Sequence, residues 1–320
     1  MIDLHLHFDG SLLPRTVLEL AQEQGILLPA TEPDELKLFL TAPATCGSLN
    51  EYLEKFDLPL QVLQTKEAVR KAMYILVSSL KEQGMLYAEI RFAPQLHTKK
   101  GMSQEQVVKA ALTGMQEALI GSFFNCKLIL CCMRGADNHG ENLRTVRTAA
   151  AFLGRGVAAV DLAGAEALYP TVDFADVFGL AKELGVPFTI HAGEADGPES
   201  IQAALDFGAS RIGHGVRAAE DPKLLARLKE QQIPLEMCPS SNVQTKAVAS
   251  MQKHPALEFL RQGLKVTINT DNMTVSDTTI EKEFGLLRRE LGMTAEERKT
   301  LLLNAADAAF LTAEERWRLK

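Results

Sequence analysis

Four histidines and two acids in this 320-residue sequence are of types and spacings that could do chemistry together. They are His5 and His7 in IDLHLH, His191 and Glu194 in HAGE, His214 in RIGHG and Asp271 in INTDN. In residues 2–7, Ile2, Leu4 and Leu6 alternate with Asp3, His5 and His7. That period belongs to a β-strand, so both imidazoles project to one side and could grip one ion. Taken singly, each residue has a plainer reading. His5 and His7 could be a polar pair satisfied by neighbours. Glu194 could cap a helix, His214 could sit in a tight turn between Gly213 and Gly215, and Asp271 could cap a loop. Taken together they read differently. Three imidazoles and one carboxylate suit zinc and leave a coordination position for water. Glu194 and His214 then remain for proton transfer, which describes a hydrolytic metal centre.

Such residues need a scaffold that brings distant segments to one place. Eight short apolar runs read as strands, at 2–7, 86–94, 125–134, 157–166, 187–194, 211–216, 234–242 and 265–272. Amphipathic stretches lie between and around them, at 13–24, 49–60, 65–83, 103–120, 140–153, 172–184, 197–207, 221–230 and 255–262. This alternation predicts an α/β fold, a (β/α)8 TIM barrel, with extra helices after the first strand and at the C-terminus. A doubly wound open sheet is the alternative, but the Gly-rich loop it usually carries after its first strand is missing. In a barrel the C-terminal ends of the strands form the working face. His5, His7, His191 and His214 fall at or near such ends, whereas His97, His139 and His254 fall in loops or helix starts. About 80 residues separate the first two strands; an excursion of that size at the working face is a candidate lid. No low-complexity linker interrupts the chain, so residues 1–320 are expected to form one domain. The tail at 279–318 is expected to be helical.

Composition narrows the class of function. The chain is 46% hydrophobic and 23% charged with a net charge of −7. No basic stretch marks a nucleic-acid surface. No apolar run of ~18 residues marks a membrane span, and the N-terminus does not read as a signal peptide. The five cysteines include no CxxC and are odd in number, which argues against a disulfide framework or a cysteine zinc site. They are expected to be buried thiols in a reducing, cytoplasmic setting.

Several segments together resemble the adenosine deaminase family. They are HLHFDGSL (5–12), FDLPLQVLQT (56–65), YAEIRFAP (87–94), LAGAE (162–166), HAGE (191–194), RIGHG (211–215), CPSSN (238–242) and INTDN (268–272). The resemblance implies that His5, His7, His191 and Asp271 bind one zinc ion per chain. It implies that Glu194 protonates purine N1 and that His214 orients or deprotonates the attacking water. It places Gly164 N–H at purine N3, Asp9 at the ribose and His7 beside the substrate as well as the metal. The expected partner is a small purine nucleoside, with neither nucleic acid nor membrane involved. One position departs from the family, which often carries a second Asp where this chain has Asn272. An amide donates to the acceptor N7 without needing a proton, so Asn272 is compatible with that role. It also leaves open another 6-aminopurine: adenine, an N6-substituted nucleotide or an aminofutalosine-type nucleoside. More distant readings are a barrel metallohydrolase acting on amides, lactones or phosphoesters, and a non-catalytic binding barrel. The fourth strand has no Lys of the kind that bridges two metals in related amidohydrolases, which favours one metal. Oligomeric state is not legible.

Overall fold

A computed structural model describes all of residues 1–320. Eight parallel strands form: β1 (Ile2–His7), β2 (Tyr87–Phe92), β3 (Asn125–Met133), β4 (Val157–Ala163), β5 (Thr189–Ala192), β6 (Arg211–His214), β7 (Leu235–Met237) and β8 (Val266–Ile268). They pair in sequence order as β1-β2-β3-β4 and β5-β6-β7-β8. Parallel bridges at Val160–Phe188 and Leu6–Asp271 join the two sheets at their outer strands. The neighbours in order are therefore those of an eight-stranded α/β barrel.

The strands end earlier than their apolar patterns suggest. The run 234–242 is strand only to Met237, after which Pro239–Gln244 is a short helix. Pro239 has no N–H for a ladder, and its fixed φ suits the first turn of a helix. The run 265–272 is strand only to Ile268, and Asp271 turns back with φ +60°.

Most expected helices form within a residue or two. Lys66–Glu82 begins at Thr65, whose side chain accepts from Ala68 N–H. The excursion after β1 differs in two ways. The stretch 49–60 is broken into Leu49–Leu53, a 3-10 turn at Glu54–Phe56, and Asp57–Val62. An unanticipated helix, Pro33–Leu40, starts with Pro33, Asp34 and Glu35, a combination that favours a helix N-terminus. The tail folds as Ile280–Leu291, Ala295–Ala308 and Ala313–Leu319. No helix is long and apolar enough to cross a membrane.

Alternation along the strands sorts the side chains. Leu6, Ile90, Leu130, Leu162, Ile190, Ile212 and Leu235 join one hydrophobic cluster of 72 buried residues. Their neighbours on the opposite strand face are charged and almost fully buried: Glu89, Arg91, Asp161, Arg211 and Glu236. Burying unpaired charge would be very costly, and these charges are paired. Arg91 bonds Asp161 and Glu236 at 2.8 Å each, and Arg211 bonds Glu89 at 2.5 Å and Glu236 at 2.6 Å. The C-terminal tail helps hold this ionic core: Arg211 donates to Ala308 O at 2.8 Å and lies 3.9 Å from the Phe310 ring centre.

Candidate active site

The three imidazoles and one carboxylate singled out in the sequence meet at one end of the strands. One potential ligand atom from each of His5, His7, His191 and Asp271 lies within 4.8 Å of the others. His7 Nε2 is 3.2 Å from His191 Nε2, and Asp271 Oδ1 is 3.5 Å from His5 Nε2 and 3.4 Å from His7 Nε2. Asp271 is placed by β1 although it follows β8. Its N–H donates to His5 O at 2.8 Å, and its own O accepts from His7 N–H at 2.7 Å. Asp271 and His214 both have φ +60°. A non-glycine residue in that region costs on the order of 1–3 kcal/mol, so the surroundings must hold both in place.

Neighbouring side chains set the state of the ligand atoms. Glu236 Oε2 lies 2.8 Å from His5 Nδ1, and Asp161 Oδ2 lies 2.9 Å from His191 Nδ1. A carboxylate only accepts, so each Nδ1 carries the proton and each Nε2 presents a lone pair. This carboxylate–imidazole arrangement is the one that orients metal ligands. Ser241 Oγ occupies Asp271 Oδ2 at 2.5 Å, which leaves Oδ1 for the cluster. His5 Nε2 is buried with no hydrogen-bond partner. A buried lone pair without a donor is costly in protein alone, and a cation among these four groups would satisfy it. Burial above all holds His5 and His7 well below the ordinary histidine range, helped by Arg91 and the neighbouring imidazoles at His5 and by His191 and Arg91 at His7. They are therefore neutral and able to bind a metal. The donor set fits zinc.

The proton-transfer candidates lie beside this cluster. Glu194 Oε2 is 3.4 Å from His214 Nε2, and Glu194 Oε1 accepts from Thr245 Oγ1 at 3.0 Å. Burial raises Glu194 well above the ordinary range, and the nearby charges of Asp271 and Glu166 add to this. His214 is fixed from behind. Asn242 Oδ1 accepts from Cys238 N–H at 3.3 Å and faces His254 Nε2 at 3.2 Å. Its amide nitrogen therefore donates to His214 Nδ1 at 2.9 Å. The proton of neutral His214 is then on Nε2, facing Glu194.

A cavity of about 220 Å³ opens onto both groups. Leu49, Leu53, Phe56 and Leu60 of the excursion after β1 form its apolar side, opposite His7, His191, Glu194, His214 and Asp271. Asp9, Gly164 and Asn272 also line it. Gly164 has φ +105°, and an added Cβ would sit 3.3 Å from the Met133 methyl, so glycine keeps the backbone approachable there. Asp9 Oδ1 and Asn272 Oδ1 are buried without hydrogen-bond partners. An added Cβ on Gly10 would lie 1.8 Å from Asn272 Oδ1, so the amide oxygen packs directly against Gly10.

Of the nine residues read from the sequence as site members, eight line one cavity, and the ninth, His5, is fully buried behind it in the His/Asp cluster. The supporting residues were not read from the sequence: Asp161, Glu236, Glu166, Asn242, Thr245, Ser241 and Tyr52. A signal did exist for Asp161 and Glu236, each a lone charge in an otherwise apolar strand. His254, set aside as a loop residue, stands behind His214 through Asn242. His97 is buried, with Nδ1 3.0 Å from Leu63 O, and His139 pairs at the surface with Asp176. All five cysteines are free and buried.

Comparison with known proteins agrees with this geometry. The family model described as adenosine deaminase matches residues 1–320. An adenosine deaminase of Haemophilus ducreyi is 52% identical over 320 residues, covering 99% of this chain and 93% of that protein. Among solved structures, an adenine deaminase from Arthrobacter aurescens superposes with a TM-score of 0.91 at 28% identity, covering 99% of this chain and 96% of that one. The N6-methyl-AMP deaminase of Arabidopsis thaliana gives 0.85 at 27% identity, covering 99% and 94%.

Proposed function

This chain belongs to the adenosine deaminase family, and we propose that it hydrolyses adenosine and 2′-deoxyadenosine to the 6-oxopurine nucleosides and ammonia. The observation that best supports this is the meeting of a buried Glu194, the Nε2 of His214 and a four-donor set able to hold a metal at one cavity. We take residues 1–320 to be one catalytic domain, working in the cytoplasm with one zinc ion.

His5, His7, His191 and Asp271 would hold that ion. When bound, zinc supplies Lewis acidity that makes water a nucleophile near neutral pH. The chain's own groups do the rest. Glu194, protonated because it is buried, donates to purine N1 and makes C6 electrophilic. His214 donates from Nε2 to the oxygen attacking C6 and stabilises the charge developing there. This reading gives His214 an orienting role rather than that of the initial base. One proton of the attacking water returns to Glu194, replacing the one given to N1; the other passes from the C6 hydroxyl to N6 as the C6–N6 bond breaks, so that ammonia departs and the 6-oxo group remains. Gly164 N–H meets N3, Asp9 the ribose, and His7 lines the substrate side. With the oxygen of Asn272 against Gly10, its amide nitrogen is the group left to donate to N7.

The same cavity favours a nucleoside over a nucleotide. Its lining includes Asp9, Asp57, Glu194 and Asp271 but neither Lys nor Arg. A 5′-phosphate would find no counter-charge there, and Lys55 does not line the cavity.

The test is ammonia release from a panel of adenosine, 2′-deoxyadenosine, adenine, AMP and N6-methyl-AMP. Adenosine and deoxyadenosine should be turned over with kcat/KM at least tenfold above the others, a margin of about 1.4 kcal/mol in transition-state binding. A preference for adenine or a nucleotide would overturn the assignment. Full activity after exhaustive chelation would overturn the metal.

A further inference from the structure

Beyond the groups that touch substrate, one buried carboxylate organises the backbone that carries the proton donor. Glu166 follows β4 and is 1% exposed. Its Oε1 accepts from Gly193 N–H at 2.7 Å and from Ser200 Oγ at 2.5 Å. Its Oε2 accepts from the N–H groups of Glu194, Ala195 and Asp196 at 3.0, 2.7 and 3.1 Å. Four consecutive backbone donors thus turn toward one side chain 27 or more residues earlier in the chain.

We propose that Glu166 is the positioning residue for Glu194, fixing the β5 turn so that the acid faces purine N1. The proposal rests on the assignment of Glu194 as proton donor. The side chain of Glu194 has few holds of its own, namely Thr245 Oγ1 and the nearby His214. Its direction is therefore set largely by its backbone. That backbone is neither strand nor helix: β5 ends at Ala192 and the next helix begins at Pro198. Gly193 makes the turn at φ +70°, where an added Cβ would lie 2.4 Å from Ile201 Cδ1. Without Glu166, four N–H groups would need water in a region that is buried or half-buried.

The carboxylate is itself anchored. Ser200 Oγ lies 2.7 Å from Thr171 Oγ1, which accepts from Arg134 Nη2 at 2.9 Å. The same Arg134 nitrogen donates to His191 O at 2.7 Å. One network thus holds the backbone of a candidate metal ligand and the turn bearing the acid. Only a carboxylate meets this pattern. An amide has one accepting oxygen, and its NH2 would face N–H donors.

The test is a double-mutant cycle with Glu166→Gln and Glu194→Gln, with Ser200→Ala as a milder variant. kcat and KM for adenosine and zinc content per chain are measured for each. Glu166→Gln should lower kcat at least about tenfold, leave KM within about threefold and leave zinc content unchanged. Ser200→Ala should act in the same direction but more weakly. If Glu166 acts through Glu194, adding Glu166→Gln to Glu194→Gln should cost little more. Wild-type kcat in Glu166→Gln, an equal loss in both backgrounds, or loss of zinc would overturn the proposal. Should Glu166→Gln not fold, Ser200→Ala and its combination with Glu194→Gln decide by the same criteria. Wild-type activity in Glu194→Gln alone would instead overturn the assignment of the acid.

Discussion

The hydroxyl of Tyr52 lies 2.7 Å from Ser276 Oγ, and this buried hydrogen bond ties the helix Leu49–Leu53 to the loop that begins at Asn272. Tyr52 also lines the cavity. One residue thus links the apolar side of the pocket to the segment carrying Asn272, which we propose reads the purine edge. Tyr52→Phe keeps the ring and removes the bond, which is worth about 1 kcal/mol. The expected outcome is a severalfold rise in KM for adenosine with kcat nearly unchanged, measured by steady-state kinetics. Ser276→Ala should match it.

Glu236 lies behind His5 of the proposed metal set. It receives His5 Nδ1, Arg91, Arg211 and the Thr189 hydroxyl. In Glu236→Gln the amide cannot accept from all four, and His5 loses its orienting carboxylate. Metal affinity should fall about 10–100-fold, read by competition with a chromophoric chelator. Unchanged affinity would show that His5 needs no such partner.

Packing at Gly10 controls Asn272. An added Cβ there would lie 1.8 Å from Asn272 Oδ1. Gly10→Ala should therefore displace the amide and raise KM for adenosine. Asn272→Asp tests the chemistry instead. A carboxyl group donates to N7 only when protonated, so kcat/KM should fall more steeply with rising pH than in the wild type. An identical pH profile and substrate ranking would remove position 272 from base recognition.

Glu283 makes stability depend on pH. It is buried, accepts from Ser240 N–H at 3.0 Å and from the Thr278 hydroxyl, and burial raises it to about 7 from 4.5. Because the folded value is the higher one, its contribution is complete below pH 4.5 and is lost as pH rises from 4.5 through 7. The change is at most about 3 kcal/mol. Glu283→Gln can still accept from Ser240 and donate to Thr278, so its unfolding free energy should vary less over that window. Urea titrations at pH 5 and pH 8 measure this, and an equal slope in both proteins would exclude Glu283.

The barrel was legible because its outer strand faces and helix faces are apolar at regular periods. The His5–His7 pair was legible for the same reason, since period 2 puts both on one face. The ends of β7 and β8 were less so. Ser241 and Asn242 lay in an expected strand, yet they work from a helix that starts at Pro239. The network around the site was least legible. Charged residues such as Glu89, Arg91 and Arg211 look like surface residues in a sequence, because what makes their burial tolerable is a partner far along the chain.

The sequence by itself determined the alternation of strand and helix, the kinds of group available for chemistry, and the phase of each group on its strand. These follow from local sterics and from the burial of apolar faces. Only the tertiary structure decided which ring nitrogen of His5, His191 and His214 is held by a neighbour, that burial raises Glu194 above the ordinary carboxylate range, and that Glu166 accepts from the turn bearing it. Those properties depend on hydrogen bonds and desolvation among residues tens to hundreds of positions apart, which no local pattern records.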